Sequence, residues 1–229
     1  MAGPLAAPFP RDVIAGDTLH AARAILGARL VRESVGAGVR IGRIVEVEAY
    51  VGTEDAASHA RFGRTRRNAV MFGPPGVAYV YLVYGMYECL NVVTEPEGRP
   101  AALLVRAVEP LEGLAAMREA RLDLEAARRR SAGRDEIRRR LDRVADARLA
   151  AGPGLVCAAF SIGRSDDGLD LCEPTSRLRL MAGEAMASEA IAIGPRVGIG
   201  YASEPWQSNA WRFWVAGNPA VSKPTVSTR

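Results

Sequence analysis

Lysine is almost missing from this chain: Lys223 is the only one in 229 residues, against 29 arginines. Covalent catalysis through a side-chain amine is therefore restricted to a single position near the end of the sequence. Histidine is nearly as rare, with only His20 and His59, and the cysteines are Cys89, Cys157 and Cys172. Their number and wide spacing exclude a His-rich metal site, a CxxC metal site and a disulfide framework. No metal site of these kinds is expected, and free thiols suit a reducing, cytoplasmic setting. No apolar run approaches the roughly 20 residues of a membrane span. Residues 1–10 hold no Lys or Arg and only a short apolar stretch, so neither a secretory leader nor membrane association is expected.

What is present looks like a folded domain. Hydrophobic residues make up 48% and charged residues 24%, which excludes disorder over the whole length. The length suggests one domain, residues 1–229. The net charge of +4 is unevenly placed. Residues 118–148 hold 11 arginines and 7 acidic residues, while the remainder balances 19 basic against 19 acidic. The preference for arginine reads either as coding bias or as phosphate contact through the guanidinium fork.

Asp17 caps an expected helix ending near Ile25. Strand signals follow at 28–33, 40–51, 77–83, 87–94 and 101–108. Helical patterns occupy 112–130 and 134–150, the second with a narrow apolar stripe of Ile137, Leu141 and Val144. Gly152-Pro153-Gly154 opens a further short helix, and Arg196–Tyr201 and Trp211–Val215 read as strands. Strands first and helices appended favour α+β over a doubly wound fold.

Four features carry chemistry. In RIVEVEAYV (43–51), parity places Val45, Val47, Ala49 and Val51 on a core face and Ile44, Glu46, Glu48 and Tyr50 on the other. That second face is either solvated or a general base beside a stacking aromatic. In AALLVRAV (101–108), Arg106 is the only polar side chain, so a buried guanidinium would need Glu48 or Glu46 as its partner; the alternative is an edge arginine with its head in water. Tyr79, Tyr81, Tyr84 and Tyr87 crowd a hairpin whose tip, Tyr84-Gly85-Met86, is unusually apolar. Such a tip suits a wedge between base steps, while Tyr79 and Tyr87 suit core packing. HARFGRTRRN (59–68) sets four arginines beside His59 and, with Asn68, reads as a phosphate-gripping or simply solvated loop. Together these suit an enzyme that extracts a base from a duplex and hydrolyses its bond to the sugar.

The segments GRIVEVEAYVGTEDAASH, RRNAVMFGPPG, AYVYLVYGMYECLNVV and LLVRAVEPLEG resemble the alkyladenine (3-methyladenine, methylpurine) DNA glycosylase family. Weaker matches continue at AAGPGLVCAAFSI, PRVGIG and WRFWVAGNP, so the likeness spans nearly everything after about residue 15. It implies a compact α+β domain with a curved antiparallel sheet, flanking helices and a protruding hairpin. It also implies a cofactor-free monofunctional glycosylase, a monomer acting on double-stranded DNA in the cytoplasm, at the nucleoid. The expected substrates are 3-methyladenine and 7-methylguanine, with hypoxanthine left open.

By the same resemblance, Glu48 activates water, and Arg106 and the Val197 carbonyl hold that water. Tyr50, His59 and Tyr81 enclose the flipped base, and Asn91 crowds the 2-amino group of guanine. Tyr84 intercalates; Met86 beside it, and Arg64, Arg66 and Arg67 as backbone contacts, come from the reading of the hairpin tip and the basic loop themselves. There are departures. Leu155 stands where the family has a basic residue, the loop around Thr65-Arg66 looks one residue shorter, and the Arg-rich helical stretch at about 118–150 is an insertion, read as a solvated arm or else as a replacement for the lost phosphate contact or an extension of the DNA footprint. Two other readings compete: a non-catalytic lesion-binding protein of the same fold, and a hydrolase of free nucleosides, which the wedge and basic loop disfavour.

Overall fold

The computed structural model describes residues 7–36, 38–83, 85–128 and 133–222. Two short helices, α1 (Arg11–Ala15) and α2 (Thr18–Ala24), lead into strands β1 (Arg29–Ser34) and β2 (Gly38–Val51). The Asp17 side chain accepts from the His20 N–H, capping α2 as its sequence requires. The hairpin β3 (Ala78–Val83) and β4 (Tyr87–Val93) follows, then β5 (Ala101–Glu112). Helices α3 (Leu114–Arg128), α4 (Arg134–Asp142) and α5 (Pro153–Phe160) come next, and the small strands β6 (Leu178–Met181), β7 (Ile191–Gly194) and β8 (Arg212–Val215) finish the set.

All strand pairs are antiparallel, in the order β3-β4-β5-β2-β1-β6, with β8 joining β2 to β7. The long central pair β2–β5 carries the site. Its register slips between Ile44 and Glu46 and back between Glu46 and Val47, so Val45 on one strand and Arg106 on the other lie outside the regular pairing. Such bulges bend a strand and re-aim side chains.

The bulge corrects the parity expectation. Ile44 joins Val47 and Ala49 in the main core, and Val45 instead packs with Ala107 and Ala220 on the other side. Strict alternation holds only beyond the irregularity, where Glu46, Glu48 and Tyr50 do share a face away from that core. The core itself lies between the sheet and its helices: Ile25 and Leu26 at the end of α2, Met117 of α3, and Val156 and Phe160 of α5 meet Leu90, Leu103 and Val105. Helix α5 is buried nearly all round, as expected of an apolar helix wedged between a sheet and another helix.

Other expectations fail in instructive ways. The segment 196–201 is a loop and not a strand; the strand that pairs with β8 lies just before it, at Ile191–Gly194. Neither β7 nor β6 was foreseen. The second insertion helix stops at Asp142, and a 3-10 turn at Asp146–Arg148 replaces its tail. The insertion is also no free arm. Met117, Ala120, Arg121 and Leu122 of α3 are buried, and Leu122 packs with Ile137 and Leu141 of α4 in a small cluster of its own. Among the described residues no helix is long and apolar enough to cross a membrane.

Candidate active site

Glu46 and Glu48 are both fully buried on β2, an arrangement that is stable only if each carboxylate is paired. Arg106, re-aimed by its bulge, serves both. Its Nε donates to Glu46 Oε1 at 2.9 Å, and its Nη1 lies 3.3 Å from Glu48 Oε1. Both partners named from the sequence are therefore used. Glu46 is the more heavily held. It also accepts from Arg212 Nε at 2.8 Å, from the Ser222 N–H at 2.6 Å and from the Ser222 hydroxyl at 2.8 Å. Arg212 and Ser222 were not foreseen. The signal for Arg212 was present, since it is an arginine inside the apolar run WRFWV, as Arg106 is inside its own.

Glu48 has three donors. The Val197 N–H reaches Oε1 at 2.7 Å, the Tyr50 hydroxyl reaches Oε2 at 3.0 Å, and Arg106 supplies the charge. The expectation at Val197 concerned its carbonyl; the contact made here is by its N–H. Burial raises the Glu48 pKa above the ordinary carboxylate value, and Arg106, Val197 and Tyr50 pull it back. Tyr50 stays a phenol, its pKa pushed well up by burial and then by the Glu48 charge.

The Tyr50 ring is itself clamped. The Arg196 guanidinium sits 4.7 Å from its centre and 5.0 Å from that of Trp211. Arg196 is bidentate to buried Asp55 at 2.5 and 2.9 Å and donates to the Ala49 carbonyl at 2.9 Å. This pair was also missed, although Arg196 and Asp55 stand in the quoted motifs.

His59, Tyr79 and Tyr81 form an aromatic cluster. The rings of His59 and Tyr81 meet edge to face at 4.4 Å, Tyr79 lies 5.2 Å from Tyr81, and His59 Nδ1 shares a 2.9 Å hydrogen bond with the Tyr79 hydroxyl. Burial, then Arg67 and Arg61, lowers the His59 pKa to about 4, so its imidazole is neutral at neutral pH. Asn91 is buried, with Nδ2 donating to the Tyr79 carbonyl at 3.0 Å. These groups line a cleft of about 750 Å³, which Tyr50, His59, Tyr81, Arg106, Leu155, Val197 and Tyr201 share. Asn91 lines a smaller chamber of about 50 Å³ together with Tyr50, His59, Tyr79, Tyr81 and Tyr201.

The outer elements divide. Met86 is exposed at the hairpin turn, where Gly85 takes φ 68°. Tyr84 lies outside the described residues. Tyr79 is core, but Tyr87 is not: it is partly exposed, with the Arg128 guanidinium 4.8 Å from its ring, and it also lines the cleft. Arg64 and Arg66 are exposed, while Arg67 lines the cleft and donates to the Leu82 carbonyl at 3.2 Å. Asn68 does not face outward as a phosphate ligand. It is buried, accepts from the Thr65 N–H at 2.6 Å and donates to the carbonyls of His59 and Gly63. Among the described residues no three His, Cys, Asp or Glu side chains gather to hold a metal ion.

An aromatic cleft thus lies above a buried carboxylate and guanidinium on this sheet, and likeness to known proteins gives the class of the enzyme, a DNA glycosylase. The family model described as methylpurine-DNA glycosylase (MPG) matches residues 12–219, and the chain belongs to that family. It is 44% identical over 215 residues to a protein of Methanocella arvoryzae, covering 94% of this chain and 96% of the relative. A Myxococcus xanthus protein is 42% identical over 215 residues (94% and 93%), and one from Streptomyces avermitilis is 39% identical over 223 residues (97% and 94%). All three are provisionally named 3-methyladenine DNA glycosylases.

Proposed function

We propose that this enzyme flips alkylated or deaminated purines, 3-methyladenine and 7-methylguanine first and hypoxanthine as a further candidate, out of duplex DNA. It then hydrolyses the N-glycosidic bond with a water activated by Glu48. One observation carries the reading: Glu48 lies beneath an aromatic cleft, held on both oxygens by groups that line it. A carboxylate offers about four acceptor positions. Three are taken by Val197, Tyr50 and Arg106, and the remaining one suits the O–H of a single water. Taking a proton from that water makes it the nucleophile at the sugar, and the Glu48 charge stabilises positive character developing there.

Tyr50 on one side and His59 with Tyr81 on another supply stacking faces. Each base–aromatic stack is worth roughly 1–3 kcal/mol, enough to offset most of the few kcal/mol that extrusion costs. The neutral His59 imidazole matters here, because a protonated one would repel the positive charge of an alkylated purine. Such a purine leaves without further protonation, so one carboxylate serves where glycoside hydrolases need two. In this reading Tyr84 and Met86 enter the gap in the stack, Arg64, Arg66 and Arg67 meet phosphates, and Asn91 crowds the 2-amino group of guanine.

The test is single-turnover excision from duplexes carrying a 3-methyladenine analogue, hypoxanthine or undamaged adenine. Release from the damaged duplexes alone is expected. Tight lesion binding without release would replace the enzyme with a lesion sensor.

A further inference from the structure

The turn that carries His59 into the pocket carries another ring out of it. Phe62 is 81% exposed and Tyr201 62%, the two most exposed aromatic rings among the described residues. They are not independent. The Arg61 guanidinium lies 4.6 Å from the centre of the Phe62 ring and 5.3 Å from that of Tyr201, so one cation joins two rings. Arg61 is anchored in turn, donating to the Ala56 carbonyl at 3.2 Å, and the Tyr201 hydroxyl donates to the Ala57 carbonyl at 3.1 Å.

The turn beneath is braced as well. Ser58 caps it through a 3.1 Å bond from the Ala60 N–H, Gly63 leaves it at φ 80°, and Asn68 ties its two ends together. The fold therefore holds an apolar ring in water at a fixed place, with no burial gained in return. The surroundings indicate what covers it. Tyr201 lines both the cleft and the inner chamber, so the two outer rings continue the pocket wall outward. Residues 59–68 contain four arginines and no carboxylate. An aromatic face amid cations is the composition that takes bases from a nucleic-acid strand without reading sequence.

Resting on the glycosylase reading, we propose that Phe62, Arg61 and Tyr201 form a second stacking platform, outside the base pocket, that receives an unstacked nucleobase of the bound DNA beside the pocket mouth. Every base has a π-face, so the platform adds affinity without sequence preference. Arg61 already places a cation against both rings, so it favours a neutral base over a charged one.

The experiment is a cycle between protein and DNA. Lesion-bearing duplexes carry a baseless spacer at one position at a time, along both strands and including the lesion itself. Their affinities are measured for the wild type, Phe62→Ala and Phe62→Tyr. The wild type should lose about 5- to 20-fold at one spacer position. Phe62→Ala should be weaker by the same factor on the full duplex and lose nothing more at that position, and Phe62→Tyr should follow the wild type. The exposed ring makes these substitutions neutral to folding, which an unchanged Tm would verify. Additive losses, or a Phe62→Ala deficit independent of spacer position, would overturn the platform. A wild type that does not prefer damaged over undamaged duplex would instead overturn the glycosylase reading.

Discussion

Arginine meets carboxylate in many places in this molecule, and two of them show opposite physical consequences. Under the cleft, Glu46, Glu48, Arg106 and Arg212 are all buried and cross-bonded. On the helical insertion, Arg134 pairs with Glu119 and Asp123, Arg138 with Glu119, and Arg140 with Glu125, all on half-exposed side chains apart from Glu125. Buried charges lose their hydration and depend on every remaining partner, so their geometry is over-determined. Exposed pairs keep their water and contribute about 0–1 kcal/mol each. The same residue types build a rigidly positioned buried cluster in one place and a water-exposed helix pair in the other. Met117 ties this stretch to the main core, Leu122 packs within the helix pair, and two of its arginines reach beyond it, Arg128 to the Tyr87 ring and Arg148 to the carbonyls of Pro219 and Val221.

The sharpest way to break this comparison is at Glu48. Glu48→Gln should cut single-turnover excision by about 10²–10⁴-fold while duplex binding persists. Its stability should move the other way. The fold raises the Glu48 pKa, so the contribution of that group is full below its ordinary value of 4.5 and is lost as pH rises through the raised one. At neutral pH the Gln variant should therefore melt higher than the wild type. Unchanged excision would remove Glu48 as the base, and a lower Tm would contradict the cost assigned to burying its charge.

Next comes Arg106→Ala, which strands two carboxylates and should destabilise by about 3–5 kcal/mol in denaturant titration. Glu46→Gln keeps the shape and most contacts, so a smaller loss of about 1–3 kcal/mol is expected. It should also slow excision without weakening duplex binding, as fits a residue that positions Arg106 and does not touch the base. His59 gives a pH signature of opposite sign to Glu48. Its pKa falls from 6.5 to about 4 on folding, so its contribution is present above 6.5 and is lost as pH drops through that window. His59→Gln should flatten the acid limb of a Tm–pH curve between those values. The smallest effect is at Arg138→Ala, within about 0.5 kcal/mol and diminishing with salt. A larger loss there would erase the distinction between the two regions.

The sequence shows most clearly what alternation and composition encode. The strands at 38–51, 78–83, 87–93 and 101–112 were readable because long runs of Val, Leu and Ile repeat. Glu48, Tyr50 and Arg106 were readable as polar intrusions into such runs. The β-bulge at Val45 was not, since one extra residue leaves no compositional trace, and its cost was the reversed placement of Ile44 and Val45. Arg196, Arg212 and Ser222 stayed hidden because their partners lie 141 to 176 positions away, where no local spacing connects them. The roles of Asn68 and Tyr87 were misread for a related reason: a polar residue in a loop and an aromatic in a strand each have two directions to turn, and only the packing chooses.

The bond from Ser222 to Glu46, joining residues 176 positions apart, has a consequence for how the enzyme is made. A ribosome delivers the long β2 strand well before Ser222. Throughout that interval Glu46 lacks the two donors of Ser222 and, for nearly as long, Arg212 as well. The buried Glu46 cluster is thus completed only once Ser222 has been made, and a partly synthesised chain can carry the cleft aromatics while the carboxylates beneath them still lack donors.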